Sequence, residues 1–317
     1  MSVSVVMVSW HTGQVLAHAI AAALAAPDVD ELVLVDNGNP PAMARRLRTL
    51  AASWPCLKLV EGQGNVGFAR GCNLGARAAS GDHLLFLNPD TALSPGAAAA
   101  MAEAGEAAAR PWIVGARLIN PDGSEQRGAR RGKLTPLSAI VSFAGLHNLG
   151  LPGEAFRNIH REGEPVPDGP APTPVVSGAA LMMRADDYAA QGGFDESYFL
   201  HVEDIDICRR ANDAGGQVVF HPGARVMHHG STSNASMMRV EWAKAKGFVR
   251  YFWKFSGGPL GKLQAVLVAP LVFAAIILRA ALYGLKNRFD IGKIQEEDWE
   301  QLPTGATTMR STASPLE

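Results

Sequence analysis

Up to about residue 90 the apolar positions fall in short runs separated by alanine-rich stretches with helical spacing. The runs are residues 2–9 (S-V-S-V-V-M-V-S), 31–35 (E-L-V-L-V), 57–60 and 84–87. Unbroken rather than alternating apolar character marks strands covered on both faces, as in a parallel sheet. Helices are expected at 15–26, around 43–53, and from the Ala/Arg stretch after Gly67, so the chain reads as successive βαβ units. The run at 84–87 stops at Asn88-Pro89-Asp90, and Pro89 cannot donate to a ladder. Asp90 therefore belongs at the carboxyl edge of the sheet, where open α/β sheets bind ligands.

The same rhythm continues more loosely. A strand near residue 115 leads into a P-D-G turn and a basic run, and residues 150–174, rich in Pro and Gly, read as a mobile connection over the active face. Residues 175–184 return to strand character, a helix opens at Glu203, and strands are expected at 218–220 and 224–229. This gives one α/β domain over 1–235, with a Rossmann-like, mostly parallel sheet flanked by helices. Its two halves are 1–115 and 116–235.

Two helices and a tail follow. Residues 242–255 mix Trp242, Phe248, Tyr251, Phe252 and Trp253 with Lys244, Lys246, Arg250 and Lys254, the composition of a helix lying in a membrane interface. Residues 263–278 are almost wholly apolar but contain Gln264 and Pro270 and are closed by Arg279. Carrying that arginine to a bilayer centre costs about 2.5 to 3.5 kcal/mol, which favours a shallow, monotopic pair over 236–290 rather than a clean span. The alternative is a buried helix of a homodimer. Residues 291–317 are expected to be disordered.

Composition narrows the partners. The 317 residues carry a net charge of -1, with 47% hydrophobic and 19% charged residues, so no global field attracts nucleic acid. Cys56, Cys72 and Cys208 form no C-x-x-C pair and suit a reducing compartment. The first residues begin a strand at once and lack the pattern of a signal peptide, so the catalytic portion is expected in the cytoplasm.

Several residues carry candidate chemistry, each beside a plainer role. Asp36-Asn37-Gly38 closes a strand, where Asp36 can bind a ribose hydroxyl or base edge or simply cap a turn. The glycines from Gly62 to Gly75 permit close backbone approach to an anion at a helix start, although Gly71 and Gly75 equally suit helix packing. There is no Walker loop and no G-x-G-x-x-G after the first strand, which counts against a dehydrogenase. Arg127, Arg130 and Arg131 can face a diphosphate or anionic acceptor, or line a solvated loop. Gly178 allows close approach of a ligand. Glu203 and Asp204 in a first helical turn complement the macrodipole or serve as a general base. Asp206, turned roughly 200° from Asp204 on a helix, is expected to pair with Arg209 or Arg210. His228, at a strand end, suits a metal or diphosphate or a backbone partner.

Three segments together resemble the inverting nucleotide-sugar glycosyltransferases of family 2, with the GT-A fold, and in particular their rhamnosyltransferase-like branch. These are V-D-N-G ending at Gly38, N-x-G-x-A-x-G-x-N-x-G at 65–75, and L-N-P-D at 87–90. A fourth, G-G-F-D-E-S-Y-F-L-H-V-E-D-I-D-I-C-R-R at 192–210, is similar to the family's acceptor-side motif. The likeness covers about residues 1–235. It implies that Asp36 contacts the nucleoside, with Ser9, Asn37, Asn65, Gly67, Arg70, Asn73, Asn88, Gly178, Arg127 and Arg131 around the substrates. It further implies that Asp90 and His228 hold Mg2+ or Mn2+, and that Asp204, with Glu203 as substitute, removes the acceptor proton. Two positions depart from the pattern: Asn88 stands where many relatives have Asp, and His11 where they often have Asn.

The expected activity is transfer of a sugar, rhamnose from dTDP-rhamnose by resemblance, from a nucleoside diphosphate donor to a glycan or lipid-linked acceptor in cell-envelope polysaccharide synthesis. Its place is the cytoplasmic face of the cytoplasmic membrane. The rival is a non-catalytic, membrane-bound sugar-nucleotide-binding subunit.

Overall fold

The computed structural model describes residues 1–143, 145–230 and 237–286. The tail expected at 291–317 lies outside the described residues. The elements begin β1 (Val3–Ser9), α1 (Val15–Ala25), β2 (Glu31–Asp36), α2 (Pro41–Ser53), β3 (Leu57–Val60), α3 (Phe68–Ala78) and β4 (His83–Leu87). After these come β5 (Thr91–Leu93), α4 (Ala97–Glu106), β6 (Ile113–Ile119), β7 (Arg130–Arg131) and α5 (Pro136–Phe143). Short 3-10 turns, Leu146–Leu149 and Glu154–Phe156, lead to β8 (Ala171–Pro172), β9 (Val175–Val176), β10 (Ala180–Arg184) and α6 (Ala185–Ala190). The chain closes with α7 (Glu203–Asp213), β11 (Val218–His228), α8 (Met237–Lys254) and α9 (Gly258–Lys286).

The main sheet runs β3-β2-β1-β4-β10-β6-β11-β5, with β8 beside β11, and β7 pairs β9 in a small second sheet. Strands β1 to β4 are parallel, as the unbroken apolar runs predict, and every residue of β1, β2 and β4 is buried. Strand β10 is antiparallel to both of its neighbours, β4 and β6. Helix α3 lies close on the sheet because a Cβ at Gly75 would fall 2.4 Å from Val6 Cγ1, and one at Gly71 2.8 Å from Val8 Cγ1. Both glycines therefore serve helix packing.

Two expectations are corrected and one strand is added. The strand read over 175–184 is two, since β9 pairs with β7 while β10 pairs with β4, and the chain changes sheet at Ser177–Ala179. The two strands read over 218–229 are one, with a register shift between His221 and Arg225 at Pro222-Gly223, where no ladder donor is available from proline. A strand the pattern did not suggest, β5, pairs antiparallel with the end of β11 and sets Thr91 opposite His228.

Packing continues past residue 235. Ala245, Phe248, Tyr251 and Phe252 of α8 join the same buried cluster as the sheet. Helix α9 packs on α8 and α5, leaving Leu260, Leu267 and Leu271 exposed at 78%, 63% and 62%. No helix among the described residues is long and apolar enough to cross a membrane.

An ionic clamp fixes α8 to α7. Asp206, fully buried, accepts from Arg210 Nε (2.6 Å), Lys254 Nζ (2.7 Å) and Tyr198 Oη (3.1 Å). Lys254 and Arg250 also donate to Asp195, at 2.9 and 3.1 Å. Removing one partner of a buried pair strands the others without compensation. Asp206→Asn should therefore lower the free energy of unfolding by roughly 3 kcal/mol in urea titrations followed by tryptophan fluorescence. A change smaller than about 0.5 kcal/mol would show the clamp to be ornamental.

Candidate functional site

The carboxyl edge of β1, β2 and β4 collects most of the candidate residues. At the end of β2 the Asp36 Oδ1 accepts from the backbone N–H of Gly38 (3.2 Å) and Asn39 (2.8 Å) and from Asn39 Nδ2 (2.9 Å). Asn39 also donates to the carbonyl and hydroxyl of Ser9, at 3.0 and 3.1 Å, and so ties the ends of β1 and β2 together. Nothing in the D-N-G turn signal distinguishes this role of Asn39 from an ordinary turn residue.

The glycine-rich loop is fastened to the same edge. Asn37 Oδ1 accepts from Val66 N (3.1 Å), and Asn65 Oδ1 accepts from Asn37 Nδ2 (3.2 Å) and Gly67 N (3.1 Å). Gly67 has φ +87°, and a Cβ there would sit 2.7 Å from the Phe199 carbonyl, which accepts from Phe68 N at 2.8 Å. One α3 amide is thus engaged by the carbonyl of Phe199. Asn73 is buried and turned the same way: it donates to Phe194 O (2.9 Å) and Glu196 Oε1 (3.1 Å) and accepts from Phe194 N (3.0 Å). Arg70 is exposed and 3.7 Å from Glu196. These residues connect two halves of the edge.

Asp90 meets His228 through β5. Their Oδ1 and Nε2 are 3.1 Å apart, and Asn88 Nδ2 is 3.3 Å from the same Nε2. Gln126 donates through its amide nitrogen to Asn120 Oδ1 (3.2 Å) and the His228 carbonyl (3.1 Å), which leaves its Oε1 to accept from His228 Nδ1. A histidine whose Nδ1–H is held by an oxygen acceptor has Nε2 directed as a ligand. Asp90 and His228 could therefore hold one divalent cation as two protein ligands, which suits a metal that takes its other positions from diphosphate and water. No cluster of three or more His, Cys, Asp or Glu fit for a metal occurs among the described residues. Gln126, in the loop before β7, carried no sequence signal.

Asp204 lies near this edge. Asn88 N donates to Ala179 O (3.0 Å), and beside that crossing Gly178 N donates to Asp204 Oδ2 (3.0 Å). Arg131 Nη2 bonds both Asp204 Oδ2 and the Val176 carbonyl. The glycine at 178 is occupied by Asp204, whose Cβ a side chain there would meet at 3.2 Å. Burial alone raises the Asp204 pKa, but the Arg131 charge and the Gly178 N–H outweigh it and hold the carboxyl below its usual value. The carboxylate lines a hollow of about 210 Å3 with Arg127, Arg131, His160, His201 and Lys244. Arg127, half-exposed, lies 3.7 Å from Glu162. Arg130 instead is buried against Glu125 at 2.8 Å and takes no part in the hollow.

Glu203 occupies a different environment. It does not line the hollow, and among the described residues its Oε2 has no hydrogen-bond partner. Burial, with the charge of Asp204 second, pushes its pKa up to about 8. Just before it, His201 and Val202 adopt φ +65° and +76°, a left-handed conformation that is strained for a β-branched residue. Helix α8 braces this turn: Gly247 comes so close that a Cβ would lie 2.9 Å from Val202 Cγ2. Burial, helped by Lys244, pushes His201 down to about 3, so it is neutral.

A family model described as glycosyl transferase family 2 matches residues 4–185. The chain is 29% identical over 244 residues to N-acetylglucosaminyl-diphospho-decaprenol L-rhamnosyltransferase of Mycobacterium tuberculosis, covering 71% of this chain and 75% of that one. It is also 29% identical over 175 residues to the O-antigen biosynthesis protein RfbC of Myxococcus xanthus, covering 51% of this chain and 12% of that one. Among solved structures it is similar to GalNAc-T7 with UDP, GalNAc and Mn2+, at TM-score 0.59 and 15% identity, over 91% of this chain and 58% of that chain. A mannosyltransferase from Pyrobaculum calidifontis with GDP-Man and Mn2+ gives TM-score 0.53 and 15% identity, over 92% and 76%.

The burial of Glu203 has a pH signature. Its carboxyl keeps a proton in the folded chain up to about pH 8 but loses it near 4.5 when unfolded. The folded state then binds more protons across that window, so stability falls as pH rises through it. Glu203→Gln should leave stability almost unchanged at pH 4 and raise it by a few kcal/mol at pH 8, because each tenfold change in proton affinity is worth about 1.4 kcal/mol. A difference independent of pH in thermal unfolding would mean that folding leaves the proton affinity of Glu203 unchanged.

Proposed function

The chain belongs to glycosyl transferase family 2, and we propose that it moves a rhamnosyl group from dTDP-rhamnose, with inversion, to a sugar of a lipid-linked acceptor at the cytoplasmic face of the membrane. The likeness to a mycobacterial rhamnosyltransferase named for a diphospho-decaprenol acceptor favours this donor sugar and this acceptor class. The observation that supports the reading is an ionised, hollow-facing Asp204 bonded to Gly178, the neighbour of the Ala179 whose carbonyl accepts from Asn88 N, two residues before Asp90 of the Asp90–His228 pair.

Each group has a task in a single in-line displacement. Asp36, held by Asn39 and Gly38, receives the nucleoside at the end of β2. Asp90 and His228 would hold Mg2+ or Mn2+, whose charge offsets that of the departing diphosphate; the two structural neighbours with bound Mn2+ accord with this. In the hollow, the acceptor hydroxyl gives its proton to Asp204 as its oxygen bonds the anomeric carbon. The bond from that carbon to the diphosphate breaks on the opposite side, and dTDP leaves with the electron pair. A base must be ionised to accept this proton, and the Arg131 ion pair keeps Asp204 so at neutral pH. No enzyme nucleophile is required.

Asp204→Asn should reduce turnover by about 100-fold or more while donor affinity, measured by calorimetry, changes less than about threefold. Retained turnover would remove the base from this position. Asp90→Ala should weaken donor binding in Mn2+ and abolish the difference in donor affinity between Mn2+ and chelator. Persistence of that difference would move the cation elsewhere.

A further inference from the structure

The transfer reaction itself leaves one part of the molecule without a task, the helix pair α8 and α9. Its two sides differ. On the inner side α8 supplies Glu241, Lys244 and Phe248 to the hollow that Asp204 lines. On the outer side α8 and α9 enclose a second, open hollow of about 710 Å3, lined by Val249, Trp253, Val266, Ala269 and Phe273. The charged side chains of this lining are both cations, Lys246 and Arg250. Helix α8 thus has a reaction hollow on one face and an apolar hollow on the other.

We propose that the outer hollow seats the hydrocarbon chain of the acceptor lipid. The assignment rests on the lipid-linked acceptor reading above. A lipid-linked sugar has three parts in order: an apolar chain, a diphosphate and the sugar. The surface offers partners in the same order, an apolar trough, cations on α8, and the hollow at Asp204. Lys246 and Lys244 stand two positions apart, roughly 200° around the helix, so Lys246 faces the outer hollow and Lys244, paired with Glu241 at 2.6 Å, the inner one. The two linings lie on opposite faces of α8, and the way round a helix about 10 Å thick is roughly 15 Å, a span covered by a sugar diphosphate together with the first carbons of its chain. Helix α8 is fixed for this purpose by the Lys254–Asp206 and Arg250–Asp195 pairs, and so positions both hollows at once. A bilayer resting on the exposed leucines of α9 is a different occupant of a different face.

The test uses water-soluble N-acetylglucosamine diphosphate acceptors with short and longer alkyl chains, kept below their micelle-forming concentrations. The quantity read is the ratio of kcat/KM for long over short chains, expected to be roughly tenfold or more in the native enzyme. Ala269→Trp, which fills the trough, and Val266→Asp, which charges it, should each bring the ratio close to one. Short-chain turnover by either variant shows that it is folded. Leu267→Asp, on the exposed side of α9, should keep the native ratio; an equal loss there would assign the effect to surface adsorption and overturn the proposal. A ratio indifferent to both trough variants would also overturn it while leaving the acceptor reading intact. Turnover of none of these diphosphates would overturn the acceptor reading and the proposal together.

Discussion

The contact between Arg131, Gly178 and Asp204 is the constraint on which the site depends. It joins three segments that are remote in sequence: the small sheet through β7, the passage from one sheet to the other between β9 and β10, and the first turn of α7. Each partner answers a need of the others. The guanidinium gives a buried carboxylate its counter-charge, the backbone N–H left over where the strand changes sheet finds an acceptor, and a Cβ at 178 would press on Asp204 at 3.2 Å. Asp204 is therefore held as an anion at the hollow by the same bonds that join these three segments.

Within four residues α7 presents three carboxylates in three electrostatic settings. Asp204 has a cation and two backbone donors, Asp206 has two cations and a phenol, and Glu203 has a polar atom without a partner among the described residues. Helical geometry makes this separation possible, since successive side chains point about 100° apart. Only one of the three both meets the hollow and is stabilised as an anion, and this sorts the roles more firmly than the order of letters in the motif. The strain at His201 and Val202 belongs to the same arrangement: the left-handed pair turns the chain so that α7 starts with its acidic end at the hollow, with α8 pressed against the turn.

Much of the fold was legible in the order of residues because its signals are local. Four parallel strands announce themselves by unbroken apolar runs, and the stop at Asn88-Pro89-Asp90 marks the edge where the site lies. Long-range pairings were not legible. Nothing around Thr91 distinguishes a three-residue strand from the start of a helix, yet β5 is what delivers Asp90 to His228. Gln126 and Lys244 were missed for a related reason, since a loop glutamine and a lysine on an amphipathic helix gain meaning only from what lies across from them. The motif suggests that Asn73, Gly67 and Arg70 face the substrates; in the fold Asn73 and Arg70 reach Phe194 and Glu196, and Gly67 packs against Phe199. The glycine-rich loop and the acceptor motif are thus two sides of one joint.

The ion pair between Lys254 and Asp206 also bears on how small a working enzyme can be made. A fragment cut near residue 235, just before α8, would bare the surface that the aromatic inner face of α8 covers, abandon the turn at Val202 and leave a deeply buried anion with half its counter-charge. The minimal catalytic unit accordingly reaches at least the last turn of α8, and crystallisation or expression trials on shorter forms would be working with an opened core.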